Sequence, residues 1–409
     1  MKSQPTISSY VPSPKDKRLT VLLIDSDGFS DYTCYLARGL SKYLNVILYS
    51  FSKESFNVTG ASREKGINFN YIKKRLPKGY STMRGIIRVL LLFFLLSNAL
   101  IKTKYDIVHV QDYLPTFFLF IPFLKFRKKQ ICWTLHDLEI FSLATGIGGK
   151  LQVLFLRLVS QPTIMTKYVD NIMVHAEELK EQLILKKINK SRINVIRFFD
   201  YQYLLEFDKR NEQNESSDSY MEDGYVLFLG NIAPWKGIDT LIEAARIARN
   251  GLVDKFKVVI AGTAYEGLRN VEFFKNVNEE DFKFIKIIDK YIEHSEIYSL
   301  LNNSKFLVLP YNNLFKHSAS GVIPLAYTFG KPVVVSNLPS LVEYVENGRT
   351  GLIHDVNDSE QLANCIIELI ENKTKCTEMG QRAYQKLINE MSLDKCSQTT
   401  FCIYKKLLH

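Results

Sequence analysis

Long hydrophobic runs are missing from this 409-residue chain. Its most apolar stretch, 86–101, is interrupted by Arg88 and Asn98. The unbroken part, Val89–Leu96, is eight residues, far short of the ~20 that span a bilayer. A soluble or surface-bound protein is expected. The opening residues, MKSQPTISSYVPSPKDKR, contain no apolar core of a secretory signal, so none is expected there. Proline is sparse at 12, which argues against long disorder and collagen-like repeats. The six cysteines, at 34, 132, 365, 376, 396 and 402, form no CxxC pair and no regular framework. They read as reduced thiols of a cytosolic protein. No GxSxG, P-loop, GxGxxG or HExxH motif occurs, and His109, His136 and His175 stand far apart in sequence. Nothing has metal-ligand spacing, so no metal site is expected.

What is present is an uneven charge. The net charge is +10, but residues 1–200 hold 30 Lys and Arg against 15 Asp and Glu, a net +15, and the remainder carries −5. Two halves of opposite sign suggest two domains with different partners. At ~150 residues per domain the length agrees with two or three.

Strand-like and helix-like segments alternate. RLTVLLID (18–25), NVILYSF (45–51), YDIVHVQD (105–112), KQICWTLHD (129–137), the start of DNIMVHAEELKEQLI (170–184) and INVIRFF (193–199) read as strands. DYTCYLARGLSKYL (31–44) has apolar residues at helical spacing. A polar stretch, 208–224, is the interdomain linker candidate. The pattern then restarts with YVLFLG (225–230), FKVVIAG (256–262), KFIKIID (283–289), KFLVLP (305–310) and KPVVVS (331–336) as strands. GIDTLIEAARIARN (237–250) and SEIYSLLNNS (295–304) read as helices between them, and 392–409 reads as a terminal helix. Continuous apolar strands alternating with helices imply parallel sheets covered on both faces. The expected fold is α/β, with two doubly wound Rossmann-like domains facing across a cleft. The expected limits are 1–207 for the first, 225–391 for the second, with 392–409 packing back on the first.

Ligands of such sheets bind beyond the carboxyl ends of the strands. LFLGNIAPWKG (227–237) places Lys236 between a strand and a helix, where an ammonium group and helix amides together suit phosphate. An ordinary tight turn with a solvated lysine is the other reading. YNNLFKHSASGVIPLAYTFGKPVVVS (311–336) puts small residues, Ser318–Gly321, ahead of a helix, where a ligand can approach the backbone; a glycine kept for packing is the alternative. WTLHDLE (133–139) places His136 and Asp137 at a strand end, as site residues or as a cap and a core histidine.

GNIAPWKGIDTLIEAA, VVIAGTA, DKYIEHSEIYSLLNNSKFLVLPY, SGVIPLAYTFGKPVVVSNLPSLVEYVENGRTGLI and DVNDSEQLANCI follow one another in the order found in the family 4 retaining glycosyltransferases of the GT-B fold. YDIVHVQD, WTLHDLE and VDNIMVHAEELKEQLI resemble the N-terminal half of the same family. The resemblance covers the chain from about Leu19. It implies a nucleotide-sugar donor, with Lys236 on its phosphates. Gly321 and Val322, with Ser318 and Ser320 in the same loop, match the amides at the diphosphate. Gly230, Asn231, Gly262, Thr263, Tyr291 and Ile292 match the loops at the donor. His136 matches a histidine near the donor sugar, and Glu343 matches a glutamate after the KPVVVS strand. His136 and Lys236 are the catalytic candidates. Asp25, Asp27 and Gly28 are candidates on the acceptor side, with simple capping as their alternative.

The chain departs from the family at its paired glutamates. Ser318 and Ala326 stand in those positions, and Asn231 and Ala233 stand where many members carry an arginine. The resemblance still permits front-face transfer with retention, in which the leaving diphosphate takes the acceptor proton and no cofactor or metal is needed. The implied function is sugar transfer to a glycan or lipid-linked glycan in surface-polysaccharide biosynthesis. The expected setting is the cytoplasm, at the inner face of the cytoplasmic membrane. The alternatives are a non-catalytic GT-B-like partner subunit that binds nucleotide-sugar, and a nucleotide-sugar epimerase of the same fold. The basic and apolar runs 71–80, 85–102 and 123–130 suit peripheral contact with an anionic membrane; a buried helix and solvated charged faces are the other reading. No nucleic-acid motif accompanies the charge.

Overall fold

A computed structural model describes residues 18–25, 30–72, 93–94, 96–111, 115–138, 168–210, 224–251, 257–264, 277–315 and 318–408. Asp27, Gly28, the basic run 73–80, the apolar residues 86–92 and most of the linker candidate lie outside them. By their internal contacts the described residues fall into two units. One takes those within Met1–Leu135, Ser142–Met173 and Ser397–His409; the other takes those within His136–Phe141 and Val174–Cys396.

The first sheet has seven strands: β1 (Thr20–Ile24), β2 (Asn45–Ser50), β3 (Ile67–Tyr71), β4 (Ile107–Gln111), β5 (Gln130–Leu135), β6 (Asn171–Val174) and β7 (Ile193–Val195), in the order β3-β2-β1-β4-β5-β6-β7. The pairings of β1 with β2 and β4, of β2 with β3, and of β4 with β5 are parallel. The second sheet has six: β8 (Tyr225–Leu229), β9 (Val258–Gly262), β10 (Ile285–Asp289), β11 (Ser304–Leu309), β12 (Val333–Ser336) and β13 (Gly351–His354), in the order β10-β9-β8-β11-β12-β13. All five of its pairings are parallel. The two sheets are those of two α/β domains, as the sequence pattern implies.

The central strands bury every residue because helices cover both faces: IVHVQ of β4 and YVLFL of β8 have no exposed position. Outer strands are mixed, as in INFNY of β3. Two strands, β3 and β13, were not anticipated from the sequence. β3 interleaves asparagines with apolar residues, and β13 is only four residues long.

Helices start where side chains satisfy their first amides. In α1 (Ser30–Leu40) the apolar positions pack inward. α2 (Glu177–Leu185) has no side-chain bond from its own N-cap, Ala176. α3 (Ile238–Gly251) buries seven residues along one face. α4 (His294–Asn303) begins with a capping box between Glu293 and Glu296. α5 (Val322–Thr328) carries Pro324 in its first turn. Asp358 caps α6 (Ser359–Glu371) and Asn372 caps α7 (Lys373–Glu390) through their side-chain oxygens. α8 (Leu393–Leu408) ends the chain, and its residues from Ser397 belong to the first unit.

In each sheet the order reverses once. After β1 the chain builds β2 and β3 outward on one side, then returns to place β4 on the other; β8 and β11 repeat this in the second sheet. Such reversals leave a crevice beyond the strand ends. In the second sheet the loops around it are 230–237 after β8 and 310–321 after β11.

Candidate active site

The loops after β8 and β11 are locked together by a close backbone approach. Gly237 has φ +62, and a Cβ there would lie 1.8 Å from the Pro310 carbonyl oxygen. Only glycine fits, because both the conformation and the space exclude a side chain. Asn312 completes the tie: its N–H donates to the Trp235 carbonyl at 3.2 Å and its side-chain amide to Pro234 at 2.7 Å. The loop after β9 joins in the same way. Gly262 has φ +151, and a Cβ would fall 1.9 Å from the Gly230 carbonyl oxygen. Gly230 itself, at φ +129, has open space where its Cβ would be.

Lys236 sits in a short 3₁₀ turn, Pro234–Lys236, between these anchors. Its Nζ lies 3.7 Å from the ring centre of Tyr311 and 4.8 Å from that of Phe315. Aromatic faces attract a cation without neutralising it. Lys236 makes no ion pair among the described residues; the Asp137 carboxylate acts on it only through longer-range charge. The Tyr311 hydroxyl in turn lies 3.3 Å from Ser320 Oγ, one residue ahead of Gly321 and α5. Lys236, Tyr311 and the start of α5 therefore form one contiguous group.

Asp137 and Ser318 meet in an isolated antiparallel bridge, where their side chains interact, and the Ser318 hydroxyl donates to the Ala319 carbonyl oxygen at 3.4 Å. Burial raises the Asp137 pKa, while the Ser318 hydrogen bond and the Lys236 charge oppose the rise. His136 is buried, and its Nδ1 lies 3.0 Å from Nε2 of His175. Their ring centres are 4.7 Å apart. The ends of β5 and β6 thus bring together two histidines that the sequence holds far apart. Among the described residues no cluster of three or more His, Cys, Asp or Glu could hold a metal ion.

The remaining candidates divide. Thr263 and Asn231 keep accessible surface, and Tyr291 presents a ring that is 67% exposed beside buried Ile292. Ser318 and Ser320 are buried, and their hydroxyls are used inside the protein, Ser318 on the Ala319 carbonyl beside Asp137 and Ser320 on Tyr311 and the Val322 amide. Gly321 and Val322 stay partly accessible, and Tyr201 Oη would lie 2.8 Å from a Cβ at Gly321. Glu343 is partly buried, and its Oε2 accepts the Glu177 N–H at 3.0 Å, supplying the cap that α2 lacks. Burial foremost pushes the Glu343 pKa up to about 7. Asp25 sits among donors of its own unit. It is fully buried, and the hydroxyls of Ser30, Thr33 and Ser50 and the Phe51 amide all donate to its carboxylate. Those four donors organise the end of β1, as the capping alternative expects. Tyr311, Phe315, Asn312 and His175 were missed in the sequence, because an aromatic or polar residue after a strand reads equally well as core.

Two family profiles match in succession. "Glycosyltransferase Family 4" matches residues 26–197, and "Glycosyl transferases group 1" matches 209–386. The chain belongs to the family 4-like glycosyltransferases. An uncharacterized glycosyltransferase of Methanocaldococcus jannaschii is 26% identical over 45% of this chain and 48% of its own length. The capsular polysaccharide biosynthesis glycosyltransferase CapM of Staphylococcus aureus is 23% identical over 54% of this chain and 58% of its own. The matches span about half the length of these two relatives. Among solved structures, Anabaena HepE in complex with UDP covers 95% of this chain and 100% of its own, with a TM-score of 0.63 at 15% identity. At that identity the likeness concerns the GT-B fold alone. The family's paired glutamates are here Ser318, bonded to Asp137, and Ala326, fully buried.

Proposed function

We propose that this family member is an enzyme that moves a sugar from a nucleoside-diphosphate donor onto a glycan or lipid-linked glycan, with retention and without a metal. The observation that carries this reading is Lys236: an ammonium group without an ion-pair partner among the described residues, seated on two aromatic faces at the sheet's reversal. A diphosphate leaving group develops negative charge, and Lys236 with the amides at Gly321 and Val322 would stabilise it. α5 has only seven residues, so individual amides matter there more than a helix dipole. Asn231, Gly230, Gly262 and Thr263 line the neighbouring strand ends, and the Tyr291 ring suits stacking on a nucleobase. His136 is assigned to the donor sugar. HepE was solved with UDP, which supports a nucleotide-sugar here. CapM acts in capsular polysaccharide biosynthesis, which supports a surface-glycan product.

The first unit supplies support for a membrane-proximal acceptor. Leu119 and Phe126 are exposed, Phe126 at 88%, beside exposed Lys125, Arg127 and Lys128. Phe94 and Ile101 are exposed near Lys102 and Lys104. Apolar side chains amid cations favour an anionic bilayer surface, about 1 kcal/mol per basic residue. Among the described residues no helix is long and apolar enough to cross a membrane. The setting proposed is the inner face of the cytoplasmic membrane.

A second reading, a subunit that binds nucleotide-sugar without turnover, is favoured by Ser318 and Ala326, which supply no carboxylate. One experiment separates the two. Incubation with a panel of nucleotide-sugars should release nucleotide, and the release should depend on Lys236. Binding without release across the panel would support the second reading. Sedimentation with anionic vesicles tests the membrane contact: the double variant Phe126→Ser, Lys128→Ala should bind less, and equal binding removes that contact.

A further inference from the structure

The two buried histidines share one hydrogen bond, and the direction of that bond follows from what surrounds them. His175 Nδ1 lies 2.7 Å from the carbonyl oxygen of Ile196. A carbonyl only accepts, so His175 Nδ1 carries a proton. His175 is fully buried, which lowers its pKa to about 4 and keeps the ring neutral at neutral pH. A neutral imidazole protonated at Nδ1 has a bare Nε2, and that nitrogen faces His136 Nδ1 at 3.0 Å. The donor must then be His136.

We propose that His175 is a positioning residue: it holds His136 in the tautomer protonated at Nδ1, so that His136 Nε2 carries the lone pair and accepts from a hydroxyl of the bound sugar. The sugar in this statement rests on the function proposed above; the tautomer does not. The surroundings fix His175 in place. Phe198 stacks on its ring at 3.9 Å between centres, with 21° between planes. The Tyr344 hydroxyl donates to the His175 carbonyl at 2.6 Å and receives the Phe198 N–H at 3.3 Å. Glu343 caps the helix that follows. A neighbour that fixes one ring nitrogen decides what the other offers a ligand. If His136 gains a proton at Nε2 in a catalytic cycle, His175 still accepts from Nδ1 and steadies the cation.

The test reads the tautomer directly. Long-range proton–nitrogen NMR correlations on the full-length protein with ¹⁵N-labelled histidine, with His136 assigned through His136→Gln, should show Nδ1 protonated and Nε2 bare. A His136 protonated at Nε2 in the wild type overturns the proposal. His175→Phe removes the acceptor and keeps an aromatic ring for Phe198. It should shift His136 toward the Nε2-protonated form and lower kcat roughly 10- to 100-fold with little change in KM, the range found when the outer partner of a functional histidine is lost. His175→Gln, whose amide oxygen accepts from Nδ1, should restore the tautomer and most of kcat. A wild-type tautomer and rate in His175→Phe overturns the role, and if that variant does not fold the wild-type spectrum decides. Because the spectrum is taken without ligand, a protein that transfers no sugar defeats the proposed function and leaves this assignment to stand or fall by itself.

Discussion

The two sheets reverse their strand order in the same way but finish their strands differently. At the reversal in the first sheet, the described residues are committed to one another. Asp25 holds four donors, and His109 contacts Thr134, Tyr404 and Gln111. At the reversal in the second sheet, Gly230 borders open space and Lys236 rests on aromatic faces with no ion pair among the described residues. Topology therefore supplies two equivalent crevices, and side chains decide what each can do. An acid surrounded by hydroxyls is scaffold. A cation held without a counter-ion is available to a ligand. The charge follows the reverse pattern, since the sheet with the available lysine sits in the acidic half. Under the proposed function, this one cation would matter more to a diphosphate than the net charge of its domain.

Four changes probe this contrast, from the largest effect to the smallest. Lys236→Ala should lower nucleotide release about 10²- to 10³-fold, or roughly 3–4 kcal/mol of barrier, the scale of one lost electrostatic donor to a developing anion. Circular dichroism should stay unchanged, and an unaltered rate would end the comparison in its present form. Gly237→Ala should destabilise the second sheet by about 3 kcal/mol in urea unfolding, since the new Cβ meets the Pro310 backbone at a left-handed φ. A small effect would mean that the two loops are not locked. Asp25→Asn should cost about 1–3 kcal/mol by facing an amide NH₂ toward hydroxyl and amide donors. It should leave nucleotide affinity as in the wild type, and a change in affinity would put the first crevice back in play.

Glu343→Gln should have the smallest effect, and one that depends on pH. Burial raises the folded-state pKa of Glu343 from 4.5 to about 7. Between those values the folded protein holds a proton that the unfolded chain gives up. Stability from this group is present below pH 4.5 and lost as pH rises to about 7. Glutamine removes that loss, so the variant should gain thermal stability over the wild type at pH 8 and not at pH 4. An identical difference at both values contradicts a buried carboxyl.

The fold was legible wherever a strand was apolar throughout. TVLLI, YVLFL and VVIAG read as buried strands, and they lie inside the sheets rather than at their edges. INFNY was not legible because a strand at the edge of its sheet tolerates polar side chains. Around the second crevice, the position of Lys236 was readable because a lysine between a strand and a helix is a local pattern; its role there is the proposal made above. Tyr311 and Phe315 were not, because an aromatic residue beyond a strand gives no sign of whether it faces core or cation. His175 was out of reach for another reason. Its partner lies 39 positions earlier, and only the adjacency of β5 and β6 unites them. Asp25 left two readings open because an acid at a strand end looks the same whether it awaits a hydroxyl from a ligand or already holds those of Ser30, Thr33 and Ser50.

The closing helix has a consequence for how the chain is made. Tyr404 is fully buried against His109 of β4, and Phe401 stacks on Tyr43 at 5.4 Å. The interior of the first unit is thus completed by a helix whose Tyr404 lies 295 positions beyond His109 in the chain. Domains usually settle in the order of synthesis. Here the first sheet is not fully packed until α8 has been made and has folded back, so deleting Ser397–Leu408 would loosen the first unit, with Tyr404 lost from His109, rather than the second.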